Sequence, residues 1–120
     1  DHKDKLSLKL KGIMPLVDIV RLFAFEKGVR ETSTLDRLSI LRERHTIAKE
    51  YAEEIEHAFE LTLLLHIQHK LDQIESGREP DDFINPNALT NLQKKTLKAV
   101  FQLISKLQDT LVNRYKPFIW

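Results

Sequence analysis

Cysteine is absent from this 120-residue chain, which excludes a disulfide framework, a thiolate zinc site and a cysteine nucleophile, and permits a reducing compartment. Neither sign of charge prevails: 19 lysines and arginines face 18 aspartates and glutamates. The broad positive field that nucleic-acid binders use to neutralise phosphates is therefore missing, and no nucleic-acid partner is expected. Long apolar runs are missing as well. The longest covers residues 22–25, far short of the roughly 20 residues that span a bilayer. The charged opening Asp1-His2-Lys3-Asp4-Lys5 does not suit a signal peptide, so no membrane partner is expected and the cytoplasm is the expected location. That opening also lacks an initiator methionine, and the sequence reads as a fragment of something longer. There is no Gly-rich phosphate loop, nucleophile elbow or serine-histidine-carboxylate order, so no catalytic residue is assigned. What remains, 42% apolar and 31% charged residues, suffices for one globular domain with a modest core.

Leu6, Leu8 and Leu10 alternate with polar residues, the period of a half-buried strand. A lone strand in a helical chain finds no partner in this reading, so residues 1–12 are expected to form an extended connector that joins an upstream sheet or lies over the helices. Gly12 ends it, Pro15 suits a first helical turn and Gly28 a left-handed stop. On this first helix Leu16, Ile19, Val20 and Phe23 share a face, while Asp18 and Arg21 lie together on another, where the simplest reading is a surface ion pair. Thr32-Ser33-Thr34 caps a second helix carrying Leu35, Leu38 and Leu41, with Arg37 and Arg42 off its seam. A long third helix spans residues 49–76 and stops at Gly77. Residues 78–86, with two prolines, form a loop anchored by Phe83 and Ile84. Thr90 caps a last helix whose Leu97, Val100, Phe101, Ile104, Leu107, Leu111 and Tyr115 form a stripe, and residues 117–120 leave an apolar tail. The fold expected is all-α, an antiparallel bundle of about four helices over residues 13–116 in a single domain.

The third helix supplies the site candidate. On a 100° wheel Ala52, Ile55, Phe59, Thr62 and Leu63 point one way, and the same face continues into His66, His69, Lys70 and Gln73. An inward stripe that turns polar must be hydrogen-bonded, hydrated or open to a ligand, because stranding such groups costs several kcal/mol. Glu54 and His57 have the Glu-x-x-His spacing of di-iron bundles, but the second pair is missing and both project away from the inward face. His66 and His69 stand about one turn apart with no third ligand converging on them. No metal site is expected.

Residues 10–22 (LKGIMPLVDIVRL), 34–38 (TLDRL), 69–74 (HKLDQI), 77–86 (GREPDDFINP) and Leu97-Lys98 occur in an order that resembles the nucleotidyltransferase substrate-binding domain family known as DUF294 C-terminal, across nearly the whole chain. The resemblance implies a non-catalytic helical module at the C-terminal end of bacterial signal-transduction proteins. In these, CBS or cyclic-nucleotide-binding domains precede a nucleotidyltransferase domain. This module would pack beside that upstream catalytic domain and close the acceptor side of its cleft. Magnesium and a nucleoside triphosphate would belong to the missing catalytic domain, and no cofactor to this chain. The family's recurrent polar positions fall on Asp18, Arg21, Thr34, Arg37, His69, Pro80 and Asn85-Pro86. The chain departs from the pattern at three places, with His66 for an arginine, Lys70 for a glutamine and Asp82 for an asparagine.

Two readings follow. In one, His66, His69, Lys70, Arg21, Arg37 and Asp18 bind an acceptor molecule or nucleotide. In the other, the bundle is a structural or oligomerising element that couples the upstream regulatory domains, and these residues form a satisfied polar network. A convergent, solvent-connected cluster favours the first and a closed network the second. Self-association is also an expectation, from the apolar tail and the strand without a partner.

Overall fold

The computed structural model describes residues 5–30, 33–44 and 49–119, leaving aside the side chains of 49, 50, 115 and 117–119. It is all-α, with four principal helices: α1 (Met14–Glu26), α2 (Thr34–Glu43), α3 (Lys49–Glu75) and α4 (Asn91–Ile119). A five-residue π-type turn (Lys9–Ile13) leads directly into α1, and a short 3-10 turn (Pro86–Ala88) precedes α4. Two-residue strands β1 (Leu6–Ser7) and β2 (Phe83–Ile84) pair antiparallel, with Leu6 opposite Ile84 and Ser7 opposite Phe83. No described helix is long and apolar enough to cross a membrane.

The element ends have local causes. Ser33 accepts the amide of Asp36 to cap α2. Thr90 and Gln93 exchange hydrogen bonds (2.9 and 3.1 Å) in a reciprocal capping box that starts α4. Gly28 and Gly77 take φ of 68° and 75°, the left-handed conformation in which a Cβ is costly. Each is followed by a 6→1 bond, Val29 N–H to the Ala24 carbonyl and Arg78 N–H to the Gln73 carbonyl, the signature of a Schellman stop.

Packing follows the apolar periods. The α4 residues Leu97, Val100, Ile104, Leu107 and Leu111 are all buried, and their alternating three- and four-residue spacing makes a coiled-coil-like seam. It meets Leu16, Ile19, Val20 and Phe23 of α1, Leu38 and Leu41 of α2, and Ala52, Ile55, Ala58 and Phe59 of α3 in one core. A second, smaller core gathers Leu8, Ile84, Leu89 and Leu97, with Leu6, Leu65 and Phe101 packed against it. Two ion pairs tie the helices on the outside: Arg42 to Glu56 at 2.6 Å between α2 and α3, and Arg114 to Glu26 at 2.7 Å between α4 and α1.

The start of the chain departs from the expected extended connector. Among the described residues of this segment only Leu6–Ser7 forms a strand, and its partner lies within the chain, in the loop after α3. Helical structure begins before Gly12, not after it, and Leu10 is exposed. Gly12 is buried against α3: a Cβ there would come 2.8 Å from Thr62 Cγ2, closer than packed atoms tolerate. The glycine therefore serves close helix packing and does not break a strand. At the other end α4 continues through Pro117 to Ile119, and Trp120 lies outside the described residues, as do Thr32, His45 and Thr46.

Candidate functional site

The inward face of α3 changes from apolar to polar at Thr62, as the wheel predicts. Thr62 is fully buried and returns its hydroxyl to the Ala58 carbonyl at 2.6 Å. One turn on, the side chains of His66 and His69 are 13% and 17% exposed, and Gln73 is buried. What they face is the loop after Gly77. His69 Nε2 lies 2.6 Å from the Phe83 carbonyl, so that nitrogen carries the proton and donates. Gln73 grips Asp81 at both ends of its amide: Nε2–H donates to Oδ1 (3.0 Å) and Oε1 accepts the Asp81 amide (2.9 Å). The same Asp81 oxygen accepts the Phe83 amide at 2.9 Å, an Asx turn that aims Phe83 and Ile84 into their pairing with Leu6 and Ser7. These hydrogen bonds, from Gln73 first and Phe83 second, hold the Asp81 carboxyl below its ordinary range.

Beside this clamp is a second cluster. Asp82 Oδ1 takes Lys70 Nζ at 3.1 Å and stands 3.5 Å from His66 Nε2. The Lys70 hydrogen bond depresses the Asp82 carboxyl. Burial and then the Lys70 ammonium push His66 below the usual imidazole value, against the opposing pull of Asp82. His66 is therefore neutral at pH 7, and its Nδ1 is buried with no hydrogen-bond partner among the described residues. The fold brings His66, Lys70 and Asp82 together.

The clamped loop and the C-terminal half of α3 enclose a groove of about 630 Å³, bounded also by Lys5 and the start of α4. Lys5, Gln68, Asp72, Arg78 and Glu79 line it, and their side chains make no hydrogen bond or ion pair among the described residues, while His69, Gln73 and Asp81 form its wall. A second depression of about 510 Å³, lined by Leu6, Leu89, Leu97 and Phe101 with Lys94 and Lys98 near it, is shallower and mostly apolar.

Not all six candidate residues converge. His66, His69 and Lys70 meet the loop. Asp18 and Arg21 are exposed on α1, where they form no ion pair with one another among the described residues. Arg37 is half-buried on α2. Glu54 and His57 are exposed on the far side of α3. Sequence reasoning passed over Lys5, Gln68, Asp72 and Arg78, which only the folding of the loop onto α3 brings to one groove. Asp72 and Arg78 lay within the motifs at residues 69–74 and 77–86, and nothing marked Lys5 or Gln68.

Four helices with a polar face folded into a groove define the class: a small all-α bundle domain. The chain belongs to the family described as "putative nucleotidyltransferase substrate binding domain" (DUF294, C-terminal), whose profile matches residues 1–115. No curated protein and no solved structure matches significantly.

Proposed function

We propose that this chain is the non-catalytic substrate-binding domain of a bacterial nucleotidyltransferase and that its acceptor lies in the groove between α3 and residues 78–93. The carrying observation is the division of labour along one helix. His69 and Gln73 are spent on holding the loop, whereas Lys5, Gln68, Asp72 and Arg78 face the same groove with their donors and acceptors uncommitted. The groove falls in the size range of small-molecule sites. Two cations (Lys5, Arg78) and three acidic side chains (Asp72, Glu79, Asp81) on its walls suit an acceptor that carries both signs of charge or several hydroxyls. Catalytic carboxylates, magnesium and the nucleoside triphosphate belong in this reading to a nucleotidyltransferase domain of the same protein, whose acceptor side this bundle closes.

The alternative, a purely structural bundle, draws support from the clamp, which is a closed network. A thermal-shift screen against nucleotides, phosphorylated metabolites and divalent metals separates the two. A ligand at about 100 times its Kd should add about 2.7 kcal/mol, several degrees in a domain of this size. Arg78→Ala and Gln68→Ala should abolish that shift without lowering the unliganded melting temperature. If no compound stabilises the chain while His69→Ala destabilises it, the structural reading stands.

A further inference from the structure

α3 is apolar on two sides. Its inward side, from Ala52 to Gln73, is accounted for. On the outer side Leu64, Ile67, Leu71 and Ile74 are 65%, 52%, 54% and 56% exposed, with Leu61 beside them at 49%. Other exposed large apolar side chains, such as Phe25, Leu92 and Val112, sit on different helices. The α3 set alone is a continuous line of four, spaced three, four and three residues apart, the a/d rhythm of a coiled-coil seam. Together with Leu61 it exposes on the order of 500 Å², near the top of what a monomer shows in one patch.

We propose that this face joins two copies of the chain, α3 against α3 in antiparallel register, about a two-fold axis midway between Ile67 and Leu71. The spacing reads the same from either end. An isologous contact requires that property, because each residue must meet its mirror position on an identical surface. Leu64 then meets the partner's Ile74, and Ile67 meets the partner's Leu71. Two such patches bury on the order of 1,000 Å², the lower bound for a specific interface. A lipid surface is the poorer occupant. The stripe is bordered by Glu60, Gln68 and Glu75, and its one nearby cation, Lys70, is engaged with Asp82. A membrane-seeking helix carries a fringe of free lysines and arginines instead. The groove lies on the neighbouring flank and shares Gln68 with the border of the stripe; the inference rests on the apolar spacing and not on the substrate reading.

Sedimentation of the 120-residue chain across a concentration series tests it. The expected result is a reversible monomer-dimer equilibrium that Leu71→Glu weakens at least about a hundredfold, while Phe25→Glu, an isolated exposed aromatic, leaves it unchanged. The absence of cysteine permits a second reading that does not depend on a disruptive variant. Ile67→Cys mixed with Leu71→Cys should give a mixed disulfide. Ile74→Cys should not link to itself, since its copies stand about 15 Å apart along the helix axis, beyond disulfide reach. A chain that stays monomeric, a dimer indifferent to Leu71→Glu, or self-linking of Ile74→Cys overturns the proposal; in the first case the stripe covers a different protein surface.

Discussion

Replacing Gln73 by glutamate changes one atom of a buried side chain and tests the loop clamp directly. In the native contact Nε2–H donates to Asp81 Oδ1 at 3.0 Å, and Oε1 accepts the Asp81 amide at 2.9 Å. The glutamate keeps the acceptor and turns the donor into a second carboxylate oxygen. The lost hydrogen bond to a charged group is worth about 1.5–3 kcal/mol. Two charges 3 Å apart add roughly 1–3 kcal/mol of repulsion at the dielectric of a half-exposed site. The deficit at pH 7 is thus about 3–6 kcal/mol, and Gln73→Ala, which loses the charged bond and a neutral one without adding a charge, should cost less, about 2–4 kcal/mol. Acid reverses the order, because a protonated carboxyl is again a donor: the Gln73→Glu deficit should shrink below the ordinary carboxylate range. Asp81→Asn removes the repulsion and should recover part of the deficit at neutral pH. The assays are chemical denaturation at pH 7 and pH 3 and amide exchange at Phe83 and Ile84, which the clamp positions. Equal stability of the glutamate and alanine variants at pH 7, or a glutamate deficit independent of pH, would refute the reasoning.

Gly12→Ala should destabilise by about 1–3 kcal/mol through overpacking on Thr62, and adding Thr62→Ser, which deletes the methyl that the new Cβ meets, should recover most of it in urea unfolding. Lys70→Gln should lower stability slightly by leaving the Asp82 carboxylate without its ammonium, and Asp82→Asn should largely cancel that loss in the double variant. The pair is partly exposed, so the coupling in a double-mutant cycle is expected below about 1 kcal/mol. His66 sets an acid limb. Its folded pKa is depressed, so the unfolded chain binds the proton more readily, and stability should fall as pH drops below the ordinary imidazole value of 6.5 and hold steady above it. His66→Phe should flatten that limb, leaving only the loss at lower pH as Asp81 and Asp82, both depressed, are protonated.

Much of this molecule can be read from local pattern. The stripe from Ile55 to Gln73, the glycine stops at 28 and 77 and the Thr90 cap depend on residues within a few turns of one another, where periodicity and capping chemistry carry the information. The function of the polar stripe could not be read in the same way, because its partners are a backbone carbonyl at Phe83 and an aspartate one loop away. A histidine seeking a main-chain acceptor leaves no mark on that acceptor's identity. The leucine alternation at the chain start misled for a related reason. Leu6, Leu8 and Leu10 fit a strand of five residues, but only two are extended, since the surface offered by β2 is no longer. Asp18, Arg21 and Arg37 illustrate the converse: polar positions shared with a family pattern need not gather around one cavity.

The short pairing of Leu6 with Ile84 also bears on the order in which the molecule assembles. It closes a circuit of nearly 80 residues for very few hydrogen bonds, at an entropic cost of about 4 kcal/mol that the small core around Leu8 and Leu89 must offset. The larger core can start from sequence neighbours, α1 with α2 and α2 with α3, and it closes its own long circuit, α1 to α4, over a far larger buried apolar surface. The bundle should therefore condense first and the ribbon with its groove last. In the native state the same region should open most readily. A ligand that bridged Lys5 and the loop would act as a latch on that last step, holding it closed by the free energy of its binding.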